Sequence, residues 1–197
     1  MSMRLQEVHP SLVHFPITLL PLALGADLLG RATGSESLAT AGRRLMPLAA
    51  GSAAVAAVFG LVAQEEVKAE GPARDMLVTH RNLNLALTGV AAAMALWRAR
   101  RERPSAGYLA LGLAGLGVMS YTAYLGGHMV YEHGVGVEAA GGVREGGAPE
   151  LVPDRAVEIA RATMADVRDG AAGTVDDLRR GDVVPELAER SPEIDRG

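Results

Sequence analysis

The sequence predicts an all-α integral membrane protein: a four-helix bundle of membrane spans followed by a C-terminal tail that is partly disordered or partly helical. Three observations carry this reading. Four long stretches are almost free of charge, small residues crowd two of them, and the charge balance changes near residue 137. Residues 1–137 hold 11 Lys/Arg against 9 Asp/Glu, whereas residues 138–197 hold 8 against 14, so a net +2 is followed by a net −6. The expected organisation is a four-span transmembrane domain over 1–137 and an acidic Gly/Ala/Pro-rich tail over 138–197.

A helix needs about 20 apolar residues to cross about 30 Å of hydrocarbon. Residues 11–26 carry no charge and the apolar run continues past Asp27 to Gly30, which places a first span at about 11–31. Glu7 in the leader, with Pro16 and Pro21 in the run, is unlike a cleaved secretory signal, so the span is read as retained. Residues 45–64 give a second span at about 45–65, and the uncharged run 82–97 a third at about 78–98. Residues 104–131, where His128 is the one titratable side chain besides tyrosines, give a fourth at about 106–131. Ala49, Gly51, Ser52, Ala53 and Ala54 in the second, and Gly112, Ala114, Gly115 and Gly117 in the fourth, suit close helix approach. In the tail, residues 153–167 have a helix start signal, but Val157, Ile159, Met164 and Val167 define no strong face, so a largely solvated extension is expected.

Loops on one side of such a bundle contain Arg31, Arg43, Arg44, Arg98, Arg100, Arg101 and Arg103; the other side offers Arg4, Lys68, Arg74, Arg81 and Arg144 near the membrane. Positive charge in short loops marks the cytoplasmic face. A multi-pass protein of the cell membrane with both termini outside is therefore expected. Trp97 and Tyr108 fit an interfacial belt at the cytoplasmic ends, and Asp27 is expected to reach water there. No basic stripe exists to neutralise nucleic-acid phosphates. The chain has no cysteine, which excludes disulfides, thiolate metal sites and cysteine nucleophiles. No hydrolytic triad, phosphate loop or catalytic carboxylate pair is visible, so a carrier or binding module is favoured over a self-contained enzyme.

All five histidines, His9, His14, His80, His128 and His133, fall at the outer ends of the expected spans. An imidazole near a bilayer needs a partner or water, so the clustering suggests function. His14 precedes Arg31 by 17 residues and His80 precedes Trp97 by 17, which puts both about 25 Å from the cytoplasmic boundary. On diagonal helices they could face one another and grip a haem b iron. His80, Asn84 and Thr88 share one face, and Tyr121, Tyr124 and His128 another, which makes the tyrosines, Asn84 and Thr88 candidate lining residues. Alternatively, the five histidines with Glu65, Glu66 or Glu132 could hold Zn, Cu or Fe. His9 and His14, like His128 and His133, are five apart, about 140° around a regular helix, so neither pair is the chelating i, i+4 couple. Pro10 and Pro16 supply the irregularity that would aim one histidine inward and one across the outer mouth.

The stretches VHPSLVHFPI, THRNLNLAL and YLGGHMVYEHGVGV resemble a bacterial four-span membrane family, "domain of unknown function 2231", over about residues 8–137. The resemblance implies the four-span fold and carries over to His9, His14, His80 and His133; His128 is a less regular feature of the pattern. Some members are joined to Rieske iron-sulfur domains, which implies membrane electron transfer by association. The leading expectation is thus a haem b-binding redox subunit with His14 and His80 as axial ligands and His9, His128 and His133 at the mouth. Its expected partners are the lipid bilayer and an iron-sulfur or other redox protein or a quinone. The alternatives are a transition-metal binding or transport module, and a non-catalytic assembly or sensor protein whose histidines protonate in mild acid.

Overall fold

The computed structural model describes residues 3–144 and 149–189. It is all-α, as expected, but not a four-helix bundle. After a short α1 (Val8–Leu12) come five long helices: α2 (His14–Thr33), α3 (Glu36–Glu66), α4 (Pro72–Ala99), α5 (Ala106–His133) and α6 (Ala156–Arg180), then a short α7 (Pro185–Glu189). Three helical segments are long and apolar enough to cross a membrane: Leu5–Thr33, Glu36–Glu66 and Ala106–His133. The protein is a multi-pass membrane protein.

Two expectations are corrected. Helix α4, expected as a span at about 78–98, does not join the apolar set. Asn82, Asn84 and Thr88 lower the hydropathy of its uncharged run 82–97, and its first turns carry Arg74, Asp75 and Arg81. The tail, expected to be partly helical from 153–167 and largely solvated, contributes the 25-residue α6, which continues to Arg180 and packs one face against α3 and α4. Its inward positions Ile159, Ala162, Thr163, Asp166, Val167, Gly170, Gly173, Thr174 and Asp177 follow the helical period, yet most are small or polar. The helix stops at Gly181, whose φ of 92° suits glycine.

His9 and Pro10 lie inside the short α1, and the break after it comes from Pro16. Pro16 has no N–H to give the carbonyl of Leu12, and its ring crowds that carbonyl, so α1 ends at Leu12 and α2 begins at His14.

The chain forms two compact units. The first comprises residues 1–6, 61–83 and 122–197; the second comprises 7–60 and 84–121. In the second unit Ala23, Leu24, Met46, Met94, Tyr108 and Leu109 make the core. Gly112 belongs there because a Cβ would lie 2.5 Å from Leu24 Cδ1. Around this core Phe15, Leu22, Leu29, Leu48, Leu96 and Leu113 are exposed, the inverse of a water-soluble protein and the expected surface toward lipid.

One end of the second unit is closed by a buried ion pair. Asp27 is 0% exposed and Arg98 1%. Arg98 Nε donates to both Asp27 oxygens at 2.9 and 3.0 Å, Nη2 donates to the Ala39 carbonyl at 2.6 Å, and Nη1 donates to the Arg101 carbonyl. The Tyr108 hydroxyl donates to Asp27 Oδ2 at 3.0 Å. Gly42 is obligatory beside this lock, since a Cβ there would sit 2.4 Å from Asp27 Oδ1. The expectation that Asp27 reaches water is therefore overturned: Arg98, counted as a loop charge, turns inward to meet it.

Removing one partner of a buried ion pair leaves an uncompensated charge and costs about 3–5 kcal/mol. Asp27→Leu should lower the thermal midpoint in detergent accordingly. The double replacement Asp27→Leu/Arg98→Met should recover much of that loss; equal losses in the single and double variants would mean the pair is not what stabilises this end.

Candidate functional site

The histidines do not form one cluster. In the second unit, the Nδ1 of His9 lies 2.9 Å from the Ala56 carbonyl of α3. His14 is exposed, its Nδ1 3.4 Å from the carbonyl of Ser11 on its own segment. In the first unit, the Nδ1 of His80 lies 2.8 Å from the Thr122 carbonyl of α5. His128 stacks on Tyr124 with ring centroids 5.5 Å apart, and His133 meets His128 edge-on at 5.9 Å. Thr88 donates to the carbonyl of Asn84 at 2.8 Å, a bond within the turn.

His9 and His80 use the same device. In an α-helix the Ala56 carbonyl pairs with the N–H of residue 60, and the Thr122 carbonyl with that of residue 126. Both those residues are glycine: a Cβ at Gly60 would lie 3.2 Å from His9 Cε1, and one at Gly126 3.3 Å from His80 Cε1. The missing side chain lets the imidazole reach the second lone pair of the carbonyl.

The haem b and metal-ion readings are overturned by this arrangement. Among the described residues no group of three or more His, Cys, Asp or Glu side chains is placed to hold a metal ion, and the sequence has no cysteine. Equal helix depth, which suggested His14 and His80 as axial ligands, does not fix the direction of a side chain. The cluster read from the sequence was a clustering along the chain.

The densest polar site is in the first unit, where α6 meets the end of α3 and the start of α4. Asp177 on α6 is almost fully buried and takes Arg74 Nη2 at 2.9 Å on one oxygen, Arg81 Nη2 at 2.9 Å on the other, and Arg180 as well. Arg81 also donates to Gln64 at 3.3 Å. Asn82 donates to the carbonyls of Asp182 and Val183 at 3.1 and 2.8 Å, and the Glu186 N–H donates to Thr79. Beside the clamp lies an open polar cavity of about 290 Å³, lined by Gln64, Glu65, Arg74, Arg81, Arg144 and Asp177 among others. Gly170 brings α6 against α3 at backbone range: a Cβ there would lie 2.7 Å from the Leu61 carbonyl oxygen.

One turn before Gly170 the charges conflict. Asp166 Oδ2 is buried without a hydrogen bond. Burial, then the neighbouring Glu65 and Asp169 carboxylates, push the Asp166 carboxyl above its ordinary range. Glu65 is partly neutralised by Arg144 at 3.8 Å, and the Arg144 N–H donates to the Glu66 carbonyl at 2.9 Å. Burial alone would raise Asp177 too, but hydrogen bonding and charge from Arg81, with Arg74 and Arg180, outweigh it and hold that carboxyl low. Helix α6 is thus held by one aspartate and strained by another.

Sequence reasoning missed both buried aspartates. The available signal was the partner: Arg74 and Arg81 stand on the first turns of a helix that then becomes apolar, where unpaired arginines are costly.

The profile of the family described as "Predicted membrane protein (DUF2231)" matches residues 6–139, and the chain belongs to that family. No curated protein and no solved structure matches it.

Because the folded Asp177 titrates below its unfolded value, its stabilisation is complete above about pH 4 and fades as pH falls through the lowered range. Asp177→Asn should remove about 2 kcal/mol of α6 docking at neutral pH and abolish that acid-side transition. Amide exchange of α6, corrected for intrinsic rates, reads both. Gly170→Leu, which drives a side chain into the Leu61 carbonyl, should expose α6 to protease while leaving the Asp27–Arg98 end intact.

Proposed function

We propose that the chain is a non-catalytic membrane assembly or sensor protein in which α6 grips the polar ends of α3 and α4 according to acidity. The observation that carries this reading is the unsatisfied Asp166 carboxylate facing Glu65, on the same helix face as the arginine-held Asp177. The sign follows from the two directions. Acidification from neutral pH protonates Asp166 first, which relieves its repulsion by Glu65 and tightens α6; further acidification protonates Asp177 and releases it. His128 and His133 are in ring contact near the end of α5. Both rings belong to the helix end from which Gly134 turns, with φ 65°, into the strap 135–144. That strap is joined to the α3–α4 connection by the Lys68 N–H to the Gly142 carbonyl and the Arg144 N–H to that of Glu66.

The bilayer is the surrounding of this protein. We propose that the polar site lies outside the cytoplasm, supported by Arg100, Arg101 and Arg103 in the short connection at the other end of the α5 span.

The test uses full-length protein in lipid vesicles, with amide exchange of α6 corrected for intrinsic rates over a pH series from neutral into the acid range. Wild type should gain protection as Asp166 takes up its proton and lose it again at lower pH as Asp177 does, and Asp166→Asn should show the higher protection already at neutral pH. Wild-type protection that only falls on acidification would mean that the acid-response reading is wrong. His128→Gln/His133→Gln is the control: a response that survives it belongs to the carboxylates.

A further inference from the structure

Helix α6 has a second organised face. Its large exposed apolar residues are Val157, Met164, Val175 and Leu178, with Ala160 and Ala171 between them, and Val157 is 65% and Met164 74% exposed; the exposed Ala156, Ala165 and Ala172 lie off this line. At about 100° per residue those on the line fall within a stripe about 60° wide. Arg161, Arg168 and Arg179 form the adjacent row, about 20–40° beyond the stripe, and Glu158, Asp169 and Asp176 lie further round at about 100–120°. The Arg168 and Arg179 side chains are 77% and 76% exposed, and they pair with Asp169 and Asp176 on the side away from the stripe. The remaining arc, centred on Asp166, Gly170 and Asp177, packs on α3 and α4. The circumference therefore runs from protein to apolar to cationic to acidic.

Such an order fits a helix lying in a membrane interface beside the spans: apolar residues toward acyl chains, arginines at the phosphates with their stems along the apolar surface, carboxylates in water. Depth agrees. Helix α6 meets α3 at Leu61 and Gln64, and Gln64 ends the uncharged run that precedes Glu65 and Glu66. That is where a span passes from hydrocarbon to headgroups. A water-facing helix would leave Val157, Met164, Val175 and Leu178 exposed in one line, and a row of arginines beside them without purpose.

We propose that α6 is a membrane-interfacial helix whose Val157–Leu178 stripe and Arg161/Arg168/Arg179 row dock on the phosphate layer of an anionic lipid surface. This goes beyond the acid-response reading and does not depend on it. The occupant is the bilayer that already holds the chain, so docking adds no partner and needs no diffusion. Arginine row and lipid phosphate supply the charge complementarity, and the three spans supply the proximity.

The absence of cysteine makes the test direct. The full-length chain, as Met164→Cys, Val157→Cys or Asp169→Cys, is labelled with an environment-sensitive fluorophore and reconstituted into phosphatidylcholine vesicles with or without phosphatidylglycerol. At positions 164 and 157 the emission should shift to the blue, be lost largely to a lipid-borne quencher set at headgroup depth, and resist aqueous iodide. Position 169 should show the reverse. Arg161→Gln/Arg168→Gln/Arg179→Gln should weaken the lipid quenching, more so with phosphatidylglycerol present. Iodide quenching at 164 and 157 equal to that at 169 would overturn the proposal. So would shielding from both quenchers that appears with two chains per lipid nanodisc and not with one, which would assign the stripe to a second copy. Two labelled positions guard against a local perturbation at either.

Discussion

In this protein a charge that leaves water must find its counter-charge inside the chain, and an aspartate held by arginine organises each of the two units. In one, Asp27 gathers Arg98 and the Tyr108 hydroxyl from helices distant in sequence. In the other, Asp177 gathers Arg74, Arg81 and Arg180. Apolar contact between membrane helices discriminates little between registers, because lipid competes on equal terms with protein. A bidirectional demand for hydrogen bonds at one point of each unit does discriminate. It also explains why small residues sit beside these points: Gly42 makes room for the Asp27 carboxylate, and Gly170 brings α6 within reach of the clamp.

The spans were legible wherever lipid alone dictates composition. Helices α2, α3 and α5 follow from long apolar runs, and the break before His14 follows from Pro16. Helix α4 was misread because an uncharged run is not the same as an apolar one: Asn82, Asn84 and Thr88 satisfy the first condition and weaken the second. Helix α6 was under-read for the opposite reason. Its packing face is built from glycine, threonine and aspartate, so the pattern that binds it is polar and steric, and hydrophobic periodicity is blind to both. The candidate site was legible in part. Sequence position gathered the five histidines at matching ends, but it carries no information on rotamers, and two of those rings turn onto helix carbonyls.

The two kinds of aspartate also separate structure from response. A buried carboxylate with three guanidinium partners is fixed over the whole neutral range, whereas one with a carboxylate neighbour and no donor is poised. Placing both on the same face of α6, 11 residues apart, gives a single helix a firm end and an adjustable one. Neither alone would make docking of the tail conditional.

The paired use of Gly60 with His9 and Gly126 with His80 has an evolutionary consequence. Each imidazole occupies the space of a side chain that a different helix has given up, so the two positions constitute one unit of inheritance. A side chain at either glycine crowds the ring, and loss of the ring removes the reason for the glycine, leaving a helix free to regain alanine. Across related sequences histidine and glycine at these positions should therefore be kept or lost together, although they lie far apart in the chain and one of each pair carries no side chain at all.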